Sequence, residues 1–271
     1  MLEKTGVTEF ANGRMLAERD GGVGIITFNQ PEKRNAMSIE MWEGLSDILD
    51  GFAADDTITC VVMQGAGDKA FVSGADISQF ARNRSNAEAQ QEYERRTGGG
   101  RTKLAEFPKP LIAKIRGFCM GGGLAIAMAA DLRVSATDGQ FGIPAARLSI
   151  AYAPDSVKRL TDLVGPAHAK MILFTARRLT AEQAERIGLI NECVPVEDLD
   201  RATMDLAQAI AENAPLSIRA SKLTINEMLK DESVRNMAAI KEIGEICFNS
   251  ADYKDGRTAF MEKRRPKFTG Q

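Results

Sequence analysis

The sequence predicts an α/β protein in which strands joined by crossover helices build a core and a helical region follows. Three observations predict it. Short apolar, β-branched runs recur through the first half, with stretches of helical spacing between them. Several of these runs end in glycine-bearing turns. From about Ser156 onward, nearly every segment fits the helical period.

Residues 23–29, VGIITFN, follow a turn at Gly21 and Gly22 and read as the first clear strand. Ser38 is placed to cap a helix over SIEMWEGLSDILDGFAAD, whose apolar residues fall at helical spacing. Residues 60–64, CVVMQ, are a short apolar run closed by GAG and read as a buried strand. Residues 111–115 (LIAKI) and 131–135 (DLRVS) repeat that pattern. Between the runs at 60–64 and 111–115, residues 87–107 have helical character but contain Gly98, Gly99 and Gly100. Each glycine costs a helix roughly 1 kcal/mol relative to alanine, so a break or hinge is expected there. Six further segments after residue 156 read as helices, and only NECVP (191–195) looks strand-like.

Composition narrows the function. The chain has 271 residues, 44% hydrophobic and 27% charged, with a net charge of −2. At that length roughly 70–75% of the unfolded surface is hidden on folding. The charge and the lack of a basic aromatic stripe predict no nucleic-acid partner. No apolar run reaches the roughly 18–20 residues that span a bilayer. The first residues, MLEKTGVTEFANGR, lack the apolar stretch of a signal peptide. Cys60, Cys119, Cys193 and Cys247 stand far apart, which predicts a reducing, cytoplasmic setting and no zinc site. The single histidine, His168, lies in a helical stretch and is read as structural.

Two loops carry the chemistry. In KAFVSGADISQF (69–80), Gly74 between Ser73 and Ala75 lets a backbone N–H face a ligand unobstructed. In IRGFCMGGGLAIAMAADLRV, a strand runs into Gly121, Gly122 and Gly123 and then into the apolar helix LAIAMAA. Such a helix is expected to be buried on every side, with free N–H groups and a positive dipole end at its start. What binds there should carry or develop negative charge. A phosphate-binding loop is disfavoured, because no Lys-Ser/Thr follows the glycines and the GxGxxG spacing is missing.

Together, and with VGIITFNQPEKRNAM, FPKPLIAKIRGFCMGGG, QFGIP, LTAEQAERIGLINECVP and the AFMEKRRPKF tail, these loops resemble the crotonase (enoyl-CoA hydratase/isomerase) superfamily over almost the whole chain. The resemblance implies a ββα spiral core over residues 1–200 and a helical trimerisation region over 201–271, assembled as a homotrimer or homohexamer. It implies an acyl-CoA thioester as substrate, with coenzyme A entering as part of that substrate and no permanently bound cofactor or metal. The backbone N–H groups of Ala75 and Gly122 match the family's oxyanion hole. Lys33 and Arg34 match the loop along the nucleotide and pyrophosphate, Ser73, Ala75, Asp76 and Ile77 the stretch near the adenine, and Phe260 and Lys263 the tail that reaches a neighbouring subunit's coenzyme A. A helix contact for Phe260 and simple solvation for the cations are the plainer alternatives.

The chain departs from the family's hydratase pattern at two positions. Where hydratases carry glutamates, it has Ala125 and Ala145. A positioned acid or base supplies roughly 10²–10⁴ in rate, so hydration by the family mechanism is not expected to be efficient. Decarboxylation of a malonyl-type thioester, or double-bond isomerisation, suits the remaining groups better. Tyr152 is similar to a tyrosine of methylmalonyl-CoA decarboxylase-like members and would orient the leaving carboxylate or protonate the enolate. Those members, however, carry a histidine where Ala75 stands. Asp155 is expected to cap the following helix, with a base for isomerisation or a displaced hydratase base as its alternative role. Arg147 is expected to form an internal salt bridge, with a substrate carboxylate as its alternative partner. A silent acyl-CoA-binding protein is the competing class. A serine peptidase on a related spiral is rejected for want of a serine elbow near His168.

Overall fold

The alternating apolar runs need cover on both faces, and the chain folds so that each face has its own layer. The computed structural model describes residues 6–76 and 87–271. In the first half, β1 (Thr8–Phe10), β2 (Met15–Asp20) and β3 (Val23–Phe28) form an antiparallel meander. Then come α1 (Ile39–Ala54), β4 (Cys60–Gly65), β5 (Ala70–Val72), α2 (Ala87–Ala105), β6 (Leu111–Ile115) and β7 (Phe118–Met120). α3 (Gly122–Ala129), β8 (Leu132–Ala136), β9 (Gln140–Gly142) and α4 (Pro154–Thr175) follow. β10 (Leu179–Thr180), α5 (Ala181–Arg186) and β11 (Glu192–Val194) close the core.

Two sheets result, a larger one ordered β1-β2-β3-β4-β6-β8-β11 and a smaller one ordered β10-β9-β7-β5. From β3 to β11 the larger sheet is parallel, as are β5, β7 and β9 in the smaller. Successive strands divide between the sheets: β4, β6 and β8 enter the larger, and the strand after each enters the smaller. That division is the ββα spiral turn.

Alternation along β4 explains the layers. Val61 and Met63 join the main core with Phe28, Met41, Leu45, Phe71 and Leu124, whereas Cys60 and Val62 face a second cluster closed by Leu199 and Ala207. Those last two belong to α6 (Leu199–Ala211), which packs across β4, β6 and β8. α7 (Pro215–Met228), α8 (Met237–Asn249) and α9 (Ala251–Glu262) complete the chain. They leave large apolar side chains uncovered, among them Ile225, Met237, Phe248 and Phe260. Among the described residues, no helix is long and apolar enough to cross a membrane.

Three local expectations change. The glycines at 98–100 do not break α2, which runs unbroken from Ala87 to Ala105. Close packing answers for one of them: a Cβ on Gly100 would stand 2.6 Å from the Trp42 carbonyl oxygen in α1. Asp155 is not the cap of α4; Ala153 holds that position, Pro154 opens the helix, and Asp155 lies exposed in its first turn. Arg147 is exposed in a 3-10 turn and has no salt bridge among the described residues. Ser38 does cap α1, its hydroxyl accepting from Met41 N at 3.3 Å.

Candidate functional site

Because β5, β7 and β9 are parallel neighbours, their carboxyl ends share one edge of the smaller sheet, and the loops leaving them converge. Those loops hold Ala75, Gly122 and Ala145 respectively. A Cβ built on Gly122 would sit 3.8 Å from the Ala75 nitrogen, so the two amides are close neighbours and a side chain at 122 would stand in front of the first. Gly74, at φ +123, takes a backbone that other residues rarely adopt. Gly123 is required for packing, since a Cβ there would collide with the Val72 carbonyl oxygen.

Hydrogen bonding determines which amides remain available. The loop at 33–37 runs beside the loop at 73–76: Ser73 N donates to Arg34 O (3.1 Å), Met37 N to Gly74 O (2.8 Å) and Asp76 N to Met37 O (2.9 Å). That pattern turns the Ala75 N–H away from Met37. Gly122 is the first residue of α3, so its N–H has no helical acceptor. Among the described residues, neither N–H is hydrogen-bonded. At the far end of α3, the buried Arg133 guanidinium donates to Ala130 O (2.7 Å) and Ala127 O (3.4 Å). Burial holds Arg133 down to about 10, so it remains a cation at neutral pH and satisfies the helix's negative end.

α3 departs from the expected all-round burial. Leu124, Ile126, Ala127 and Met128 are buried, but Ala125 and Ala129 are half-buried. Ala145 is also half-buried and packs on the main core. Tyr152 stands across the edge, its hydroxyl donating to Gly121 O at 2.9 Å. Burial pushes its phenol well up, helped by the Cys119 thiol and opposed by the Ser156 hydroxyl and the Arg101 charge.

The predicted nucleotide-side residues take several positions. Lys33 forms an ion pair with buried Asp76 at 2.7 Å, tying the two loops together. Arg34, at φ +52, lays its guanidinium 5.1 Å from the Phe118 ring centroid. Asn35 holds that turn from inside, donating to Ala66 O (3.0 Å) and Ala70 O (2.8 Å). Phe260 is 87% exposed near the end of α9, so the helix contact considered for it is not made within the chain. Lys263 caps α9 in a left-handed conformation. Ile77 lies outside the described residues.

Sequence reasoning missed two cations. Arg178 lies 5.1 Å from the same Phe118 ring as Arg34. Arg101, on α2, stacks 5.3 Å from the Trp42 ring and 5.6 Å from Tyr93. Among the described residues neither has a carboxylate partner. No local motif marks either, since Trp42 and Phe118 come to them only through the fold.

The sequence profile of the enoyl-CoA hydratase/isomerase family matches residues 18–271. The chain belongs to that family. It is 33% identical to the short-chain-enoyl-CoA hydratase of Clostridium acetobutylicum, over 93% of this chain and 95% of that one. It is 34% identical to the crotonyl-CoA hydratase of Syntrophomonas wolfei, over 94% and 97%. The crystal structure of an enoyl-CoA hydratase/carnithine racemase from Magnetospirillum magneticum superposes with a TM-score of 0.90 at 34% identity, covering 95% of this chain and 96% of that one. The fold expected from the sequence is therefore the one found, and its enzymes act on coenzyme A thioesters.

Proposed function

We propose that the chain is an acyl-CoA lyase or isomerase that stabilises a thioester enolate, with decarboxylation of a malonyl-type acyl group as its preferred reaction. The observation that carries this reading is the pair of unbonded amides at Ala75 and Gly122, at the positive end of an apolar helix and flanked by Ala125 and Ala145. Two such donors favour charge that develops on the thioester oxygen; losing one typically costs roughly 2.7–4 kcal/mol. In decarboxylation, the bond between the α-carbon and the carboxylate carbon breaks. Its electron pair moves into the thioester carbonyl as CO₂ leaves, and the α-carbon then takes a proton. No strong base is needed, which suits a site with alanine at both hydratase-glutamate positions. Arg101 adds a cation on the Tyr152 side of the edge, favourable to an acyl group bearing a carboxylate.

In the same reading, Lys33, Arg34, Ser73, Asp76 and Ile77 line the coenzyme A path, joined by Arg178. Phe260 and Lys263 reach it from a neighbouring subunit, and the uncovered apolar residues of α7–α9 close a homotrimer or homohexamer. Hydration, with Asp155 as a displaced base, is the second reading; the named relatives' hydratase activity favours it. Incubation with methylmalonyl-CoA and with crotonyl-CoA separates the two. Propionyl-CoA formation is expected, with little 3-hydroxybutyryl-CoA. The reverse pattern would overturn the preference, and binding without turnover on either would leave a silent acyl-CoA-binding protein.

A further inference from the structure

Tyr152 was expected to touch the substrate, but its hydroxyl proton is directed elsewhere. It is donated to the Gly121 carbonyl oxygen at 2.9 Å. That oxygen and the Gly122 N–H belong to one planar peptide unit. A donor on the oxygen draws electron density through the amide and strengthens the N–H at its other end, the usual cooperativity of linked hydrogen bonds.

We propose that Tyr152 is a positioning residue: its hydroxyl fixes and polarises the Gly121–Gly122 peptide, so that the Gly122 N–H meets the thioester oxygen as a stronger, fixed donor. The inference rests on Ala75 and Gly122 forming the oxyanion hole. Three features of the site support it. Gly121 lies at φ +51, ψ −114, a conformation with no side-chain cap to hold it. Its own N–H donates to Gly142 O at 2.8 Å, and its carbonyl also accepts from Ala125 N at 3.0 Å. The peptide is thus restrained at the nitrogen before it and the oxygen within it, leaving the Gly122 N–H as the end that remains unbonded. Finally, desolvation raises the phenol's pKa, so it keeps its proton and the donation persists at neutral pH.

The test uses acetyl-CoA labelled with ¹³C at the thioester carbonyl, which carries no carboxylate for Tyr152 to orient. The infrared carbonyl stretch of the bound ligand is measured for the native chain and for Tyr152→Phe. A lowering on binding is expected in the native chain, with a clearly smaller lowering in the variant. Tyr152→Phe should also reduce kcat about tenfold on any accepted thioester while KM changes little. A kcat loss confined to carboxylate-bearing substrates would overturn the inference. An equal lowering in both proteins would overturn it too, while leaving the hole intact. No lowering in the native chain would instead remove the hole itself. Should the phenylalanine variant fold poorly, fluorotyrosine in place of the three tyrosines keeps the ring and makes the phenol a stronger donor. The stretch should then fall further, and an unchanged stretch would contradict the proposal.

Discussion

The two ends of the proposed site are built from different materials. Along the edge where β5, β7 and β9 end, the reacting end has backbone amides, alanines and a phenol. On the proposed nucleotide flank, Arg34 and Arg178 each lie 5.1 Å from the Phe118 ring centroid, and Lys33 is locked to Asp76. Backbone donors are fixed by the fold and stay when side chains change. In the proposed reading, alanine at 125 and 145 therefore alters which reaction follows without removing the amides that polarise the thioester. Side-chain cations, in contrast, would set affinity in that reading and can be lost singly.

The largest expected effect breaks the reacting end alone. Gly122→Pro removes one donor at a position where helices accept proline well and sets its ring before the Ala75 amide, so kcat should fall by at least about 10²–10³-fold while the fold persists. Steady-state kinetics beside a thermal melt check this. Next, Ala125→Glu combined with Ala145→Glu should raise hydration of crotonyl-CoA by roughly 10² or more, since both half-buried positions border the amide edge. No gain would mean that the reacting carbons lie elsewhere.

On the flank, Arg34→Ala or Arg178→Ala should raise KM for acyl-CoA about tenfold with kcat nearly unchanged, matching the loss of a charge-assisted contact. A kcat effect of the same size would blur the distinction between the two ends.

The fold was legible wherever burial writes a long signal. Residues 23–28, 60–65, 111–115 and 132–136 are apolar, β-branched strands of the parallel sheet, and their runs mark them. The three-residue strands β5, β7 and β9 carry too little pattern to be read singly, yet they bring Ala75 and Gly122 together. The glycines of α2 misled because local propensity was weighed without Trp42, whose carbonyl leaves Gly100 no room for a side chain. Arg101 and Arg178 had no sequence signal, as Trp42 and Phe118 lie far from them along the chain. Asp155 looked like a cap because it directly precedes the helical SVKRL run, but Pro154 opens the helix one residue earlier.

The smallest effect tests how dry the edge is. Cys119 lies in β7 beneath the amides and is fully buried, and burial pushes its thiol far up; Cys60 is pushed up to about 12. Cys193 and Cys247 are half-exposed. A thiol reagent on the native chain should modify the latter two first, and equal rates would mean that the edge opens to water. The buried pair also sets a direction for stability. Their folded pKa values lie above the ordinary thiol value of 9.0, so the unfolded chain ionises first and stability declines as pH rises past that value.

The central claim is settled most directly by a structure of the protein with a non-reactive acyl-CoA bound. The thioester oxygen should lie within about 2.7–3.1 Å of both the Ala75 and the Gly122 nitrogens, the distance at which such donors act. A thioester seated elsewhere, with those two amides facing only solvent or protein, would contradict the account.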